Sequence, residues 1–263
     1  MKHIIFTILI GILASGIATG QQEYKINKSS GTLNLRGIDA IDLQGYDGSS
    51  IIFQNNSDHD EENDDRSEGL KMINALGLND NSGIGLSVED NGDIITVQQI
   101  SNGASCNCGD GYTIKVPKNM SLLIEHSTMY ADDVKVSNMN GEIEISVNYG
   151  DLYLDNVTGP LAIKTVYGDL ETKFGTVSQS NAMSLVSVYG HVDVSMPAST
   201  KADLQVSTNY GALYSDMDIK VSSKGSNGKM KSLSSKKVNG TINGGGVQIN
   251  LSAMYDDVYL RSL

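Results

Sequence analysis

The stretch Ile143-Glu144-Ile145-Ser146-Val147-Asn148-Tyr149-Gly150-Asp151-Leu152 decides how this chain is read. Apolar residues stand at every second position from Ile143 to Val147, then Tyr149-Gly150 interrupts the run before Leu152 resumes it. Period two is the mark of a strand with one buried face. The same phrase recurs from Leu161 to Leu170, from Met183 to Val192 and from Leu204 to Leu213. Aligned on the tyrosines, the position six before reads Ile143, Leu161, Met183, Leu204, and the position four before reads Ile145, Ile163, Leu185, Val206. The position three after reads Leu152, Leu170, Val192, Leu213.

Tyr149, Tyr167, Tyr189 and Tyr210 lie 18, 22 and 21 residues apart. A strand-helix-strand crossover needs about 30 residues, so the unit holds only short strands and turns. Units of this length bury their apolar residues by stacking, each strand pairing in parallel with its copy about 4.8 Å away. The expected fold is therefore all-β, a parallel β-helix (solenoid) with coils of about 18–22 residues. Gly150, Gly168, Gly190 and Gly211 form a column at one corner, where the chain bends without a Cβ. The phrase returns in Ile249 to Leu260 around Tyr255, which lies 45 residues beyond Tyr210. One degenerate coil is therefore expected around Met230 to Val238. Upstream, Leu122, Ile124, His126, Thr128 and Tyr130 fit the same columns, with Val134 one residue late.

Residues 1–20 read as a signal peptide: Lys2 and His3, an apolar run from Ile4 to Leu13, then small residues to Gly20. Residues 21–263 read as a single β-solenoid domain, irregular over 21–120 with an acidic loop at 55–68, and regular over 121–263. No later apolar run approaches the roughly 20 residues of a membrane-spanning helix. Export is expected, to the periplasm, the outer cell surface or the medium. A formal charge of −12 excludes nucleic acid and anionic membrane as partners, since either needs a basic face. Asp90-Asn91-Gly92-Asp93 reads as a hairpin turn between two strands. Pro117, without an amide donor, belongs at the end of the strand that begins at Tyr112.

Four phrases carry a family resemblance: Tyr112 to Leu122, Val157-Thr158-Gly159-Pro160-Leu161, Val192 to Ser199, and Val238 to Gly246. They resemble the bacterial adhesin-like β-strand-repeat family that is common in Bacteroidetes, over about Gly31 to Leu263. The resemblance implies a right-handed parallel β-helix at or outside the cell surface. No catalytic residue comes with it, because the family has no established activity. The family often has Asn-Gly where this chain has Tyr-Gly, which puts an aromatic ladder at that corner.

Strand parity places Tyr149, Tyr167, Tyr189 and Tyr210 inward, in phase with the core. Turned outward instead, they would form an aromatic strip for a cell-surface glycan or protein. Two positions on, Asp151, Asp169 and His191 form a column, read either as turn residues or as the acids of a polysaccharide-acting enzyme. Asp58, Asp60 and Asp64 lie in the acidic loop, a solvated segment or a structural calcium site. No other cofactor is expected. Cys106 and Cys108 read as a loop disulfide or thiol pair, and they cannot complete a tetrahedral zinc site. His126 reads as a hydrogen-bonded core residue. Three roles follow: a non-enzymatic adhesin-like binding or structural module, a β-helix enzyme, or a solenoid that self-associates through its ends.

Overall fold

A computed structural model describes residues 23–56, 77–100, 111–127, 132–221 and 236–263. The segment read as a signal peptide, Asp58, Asp60, Asp64, Cys106 and Cys108 lie outside the described residues, as do Thr128 and Tyr130. The N-terminal strands are β1 (Glu23–Ile26), β2 (Thr32–Arg36), β3 (Ile41–Tyr46), β4 (Ile51–Asn55), β5 (Leu86–Asp90), β6 (Ile94–Gln99) and β7 (Tyr112–Pro117). The central ones are β8 (Ser121–His126), β9 (Val134–Ser137), β10 (Ile143–Tyr149), β11 (Leu152–Val157), β12 (Leu161–Tyr167), β13 (Leu170–Phe174), β14 (Met183–Ser187) and β15 (Val192–Met196). The last are β16 (Ala202–Thr208), β17 (Leu213–Ser215), β18 (Ile219–Val221), β19 (Lys236–Ile242), β20 (Val247–Ala253) and β21 (Val258–Ser262).

Each regular coil contributes one strand to each of two sheets. β10, β12, β14, β16 and β20 lie in an 11-stranded sheet; β11, β13, β15, β17 and β21 lie in a 10-stranded one. Pairing is parallel and in the register the columns require, with Ile143 opposite Leu161 and Leu122, and Leu152 opposite Leu170. The inward positions of both sheets, among them Ile145, Leu154, Ile163 and Leu185, are buried in one cluster that runs from Leu33 to Leu260. Outward positions are mostly polar, as a sheet with one solvated face demands.

Two features depart from a purely parallel stack. First, the coils at each end are not stacked in chain order. β20 lies between β14 and β16, and β21 between β15 and β17, so the last coil separates its two predecessors. At the other end β2 lies between β8 and β6, and β3 between β9 and β7. Second, antiparallel strands close both sheets at the N-terminal end and the 11-stranded sheet at the other, where the 10-stranded sheet ends in β17, parallel to β21. β19 pairs with β16 from Ala202 to Thr208, and β18 pairs with β19. The degenerate coil expected around Met230 to Val238 is therefore corrected: its described part belongs to an antiparallel cap. At the N-terminal end β5 closes β6 through the Asp90–Asp93 turn, while β4 lies antiparallel on β7 and β1 on β4. Ile51-Ile52-Phe53 thus belongs to the cap. The outermost strands, β1, β5, β17 and β18, have 3 to 5 residues, which limits the backbone donors and acceptors left unpaired.

Candidate functional site: the tyrosine corner

The corner between the sheets is a two-residue turn, Gly150-Asp151 after β10 and Gly168-Asp169 after β12. Its tightness is set by glycine. A Cβ on Gly168 would stand 2.0 Å from the carbonyl oxygen of Gly150, and one on Gly190 would stand 2.2 Å from that of Gly168. The glycine therefore occupies the inner side of the bend against the neighbouring coil, and the tyrosine before it is turned out. This corrects the parity reading: Thr165 is buried, but Tyr167 is 52% exposed, and Tyr189, Tyr255 and Tyr210 are 49%, 47% and 71% exposed.

Outside the corner the rings stack on one another. Centroids are 5.1 Å apart for Tyr149–Tyr167, 4.8 Å for Tyr167–Tyr189, 4.8 Å for Tyr189–Tyr255 and 5.0 Å for Tyr255–Tyr210. Interplanar angles run from 2° to 15°. Each such pair contributes about 0.5–1.5 kcal/mol beyond its buried area. Tyr255 is a fifth rung, inserted between Tyr189 and Tyr210 because its coil is. Ring faces are taken up by neighbouring rings, so the strip presents ring edges and hydroxyls; among the described residues Tyr149 and Tyr210, at its two ends, each stack on a single ring.

Behind the ladder runs a carboxylate column. Asp133 Oδ1 accepts the amide of Asp151 at 3.1 Å, Asp151 Oδ1 accepts that of Asp169 at 2.8 Å, and Asp169 Oδ1 accepts that of His191 at 2.9 Å. Asp257 does the same for Ala212 at 2.7 Å. His191 Nδ1 also lies 2.9 Å from Asp169 Oδ1. The second oxygen of Asp151 accepts the Tyr153 hydroxyl, and that of Asp257 the Tyr259 hydroxyl, each at 3.2 Å. Burial, joined by the charges of Asp151 and Asp133, pushes the Tyr153 phenol up to about 12. Tyr259 stacks on Tyr214 at 5.4 Å, a second short aromatic pair on the 10-stranded sheet. Asp151 and Asp169 thus tie one coil to the next. Among the described residues no group of three or more His, Cys, Asp or Glu side chains is placed to hold a metal ion.

One feature was not anticipated: a hydroxyl column two positions before the tyrosines, where Thr165, Ser187 and Thr208 are buried. Ser187 Oγ donates to the carbonyl of Gly168 at 2.8 Å and accepts the amide of Gly190 at 3.0 Å. Thr208 Oγ1 donates to Asp256 and accepts from Gly211 in the same way. Its signal in the sequence is a short hydroxyl in three of five coils. His126 occupies the same column in β8 and is buried, as expected, but neither ring nitrogen makes a hydrogen bond. Burial holds its pKa below the ordinary value, against the pull of Asp39 at 4.0 Å and of the nearby Ile38 carbonyl.

With this geometry in hand, comparison with known proteins is direct. The family profile described as Toastrack DUF4097 matches residues 118–261, more than half of the chain. The chain belongs to the Toastrack DUF4097 family. The match begins at the strand turn before β8 and takes in every rung of the ladder. Toastrack DUF4097 is a family of unknown function, so membership brings no reaction and no ligand. Among curated protein sequences no relative matches. A crystal structure of a candidate cell adhesion protein from Clostridium sporogenes aligns over 92% of this chain and 99% of its own, at 12% identity and a TM-score of 0.45. A likeness of that strength carries no argument about activity. Among the described residues no helix is long and apolar enough to cross a membrane.

Proposed function

We propose that this Toastrack protein is an exported, non-enzymatic, adhesin-like recognition module acting at the cell surface or in the periplasm. The single observation that carries the reading is the outward ladder of half-buried Tyr149 and exposed Tyr167, Tyr189, Tyr255 and Tyr210. Aligned exposed aromatics supply large contact area at low conformational cost, which is what a binding surface uses. The right hand of the winding rests on the family resemblance and on the general preference of crossover connections between parallel strands.

The enzyme reading loses support from the same corner. A polysaccharide-acting enzyme needs a groove walled by long loops over its acids, whereas the turns at Asp151 and Asp169 are two residues long. Both carboxylates, moreover, hold the next coil's backbone. The test is a glycan array and a cell-surface protein screen run with the exported chain and its Tyr167→Ala/Tyr189→Ala variant. Binding lost in that variant, with no sugar released by the parent chain, supports recognition. Polysaccharide turnover abolished by Asp151→Asn would replace it with the enzyme reading.

A further inference from the structure

We propose that the tyrosine corner docks, lengthwise along the solenoid, a basic segment of a partner protein in the polyproline II conformation. The inference rests on the recognition reading above and names its partner. Three observations select this occupant. The first is ring orientation. Sugars stack on aromatic faces, and in this ladder the faces of Tyr167, Tyr189 and Tyr255 are covered on both sides by other rings. What remains exposed is a row of edges and phenol hydroxyls. A polyproline II backbone makes no internal hydrogen bonds, so its carbonyls are free to accept from such a row.

The second is spacing. Polyproline II rises about 3.1 Å per residue with three residues per turn, so one face repeats about every 9.3 Å. Two ladder steps of 4.8 Å, Tyr167–Tyr189 and Tyr189–Tyr255, match that repeat closely. An extended β-strand laid along the same axis repeats a face about every 6.6–6.8 Å and drifts out of register within two rungs. The whole ladder accommodates about six residues of polyproline II.

The third is charge. Beside the rings run Asp133, Asp151, Asp169, Asp256 and Asp257, with Glu171 one strand position further on. Asp193 in that outer column is neutralised by Arg261, which grips it at 2.7–2.9 Å. Lys135 is the register partner of Tyr153 at the N-terminal end of the outer column, and His191 stands among the acids beside Asp169. This side of the strip is therefore acidic, within a chain of net charge −12, and complements arginine or lysine at every third position.

The experiment is fluorescence anisotropy with the exported chain and labelled nine-residue peptides: a Pro-Pro-Arg repeat, a Pro-Pro-Glu repeat and a Gly-Ser-Arg repeat. The proposal expects the Pro-Pro-Arg peptide to bind at least tenfold tighter than either of the others, more weakly as salt rises. Tyr167→Phe/Tyr189→Phe keeps the stack, removes two hydroxyls and is expected to weaken binding several-fold; Tyr167→Ala/Tyr189→Ala is expected to abolish it. Equal binding of Pro-Pro-Arg and Gly-Ser-Arg would overturn it as mere charge attraction, and unchanged binding in the tyrosine variants would overturn it as the wrong surface. Array binding to an oligosaccharide, lost in the alanine variant while no peptide binds, would overturn this inference and leave the recognition module standing. Loss of neither glycan nor protein binding in that variant would remove both.

Discussion

Ser187 and Gly168, one coil apart, are joined by a hydrogen bond from hydroxyl to carbonyl at 2.8 Å, while the same hydroxyl accepts the Gly190 amide at 3.0 Å. One buried side chain thus satisfies two backbone groups that a glycine corner leaves open. Ser187→Ala is expected to lower unfolding free energy by about 1–3 kcal/mol, the penalty for buried polar groups left without partners. Urea denaturation checks this, and a loss under about 0.5 kcal/mol would mean that water replaces the hydroxyl.

Gly168→Ala tests the steric cause of the outward tyrosines. Its Cβ would meet the Gly150 carbonyl oxygen at 2.0 Å, a backbone atom of the neighbouring coil, so one coil must shift against the other. Overpacking of this kind is expected to cost about 1–3 kcal/mol or more. Gly37→Ala is the control: there φ is +59° with open space around it, so only about 1–2 kcal/mol of backbone strain is expected. Melting temperatures of the two variants should separate accordingly.

Stacking should be readable rung by rung. Tyr189 stacks on two rings and Tyr210 on one. Tyr189→Ala is therefore expected to cost about twice what Tyr210→Ala costs, about 1–3 against about 0.5–1.5 kcal/mol. Near-ultraviolet circular dichroism should lose more exciton signal in the first. Equal losses would show that the rings are held by the corner and add nothing themselves.

His126 sets a pH dependence. Burial keeps its folded pKa below the unfolded value of about 6.5, so the unfolded chain binds the proton more readily. Its contribution is fully present above about pH 6.5 and is lost as pH falls from there toward the folded value. His126→Leu is expected to flatten the decline in melting temperature between about pH 6.5 and 5, a window above the titration of ordinary carboxylates. An unchanged slope would assign the decline to other groups.

The coil order can be tested covalently. Ser207 and Ser252 are register partners whose hydroxyls lie 3.1 Å apart. Ser207→Cys/Ser252→Cys is expected to form a disulfide on oxidation, since neighbouring strands hold paired Cα atoms within bridging range. Val186→Cys/Ser207→Cys, two residues that chain-order stacking would pair, is expected to stay reduced because β20 lies between them. Gel mobility without reductant reads both.

What the sequence disclosed follows from periodicity. The columns of Ile143, Leu161 and Met183 gave register, because a strand with one buried face has no alternative that keeps its apolar side inside. They could not give neighbours: Ile249 fits the column of Leu204 and of Met183 equally well, and the structure places it between them. Parity failed at Tyr167 because alternation ends where the chain bends, and Gly168 takes the inward place that the count assigns to the tyrosine. The hydroxyls of Ser187 and Thr208 were legible as a column, but their bonds to the adjacent coil require knowing which coil is adjacent.

The interleaved ends bear on how such a chain is made and how it changes. β2 finds its partners only when β6 and β8 have emerged, and β14 waits for β20, so neither end can mature as the chain is threaded out. Long-range pairings of this sort slow assembly. They also fasten the coil of β2 and β3 and the last coil, β20 and β21, inside the two sheets, as a belt is tucked under its own turn. Copying of units can lengthen this protein in the middle, from β8 to β15, where successive coils are also spatial neighbours; a unit inserted beyond them must break the interleaved pairings of β2 and β3 or of β20 and β21.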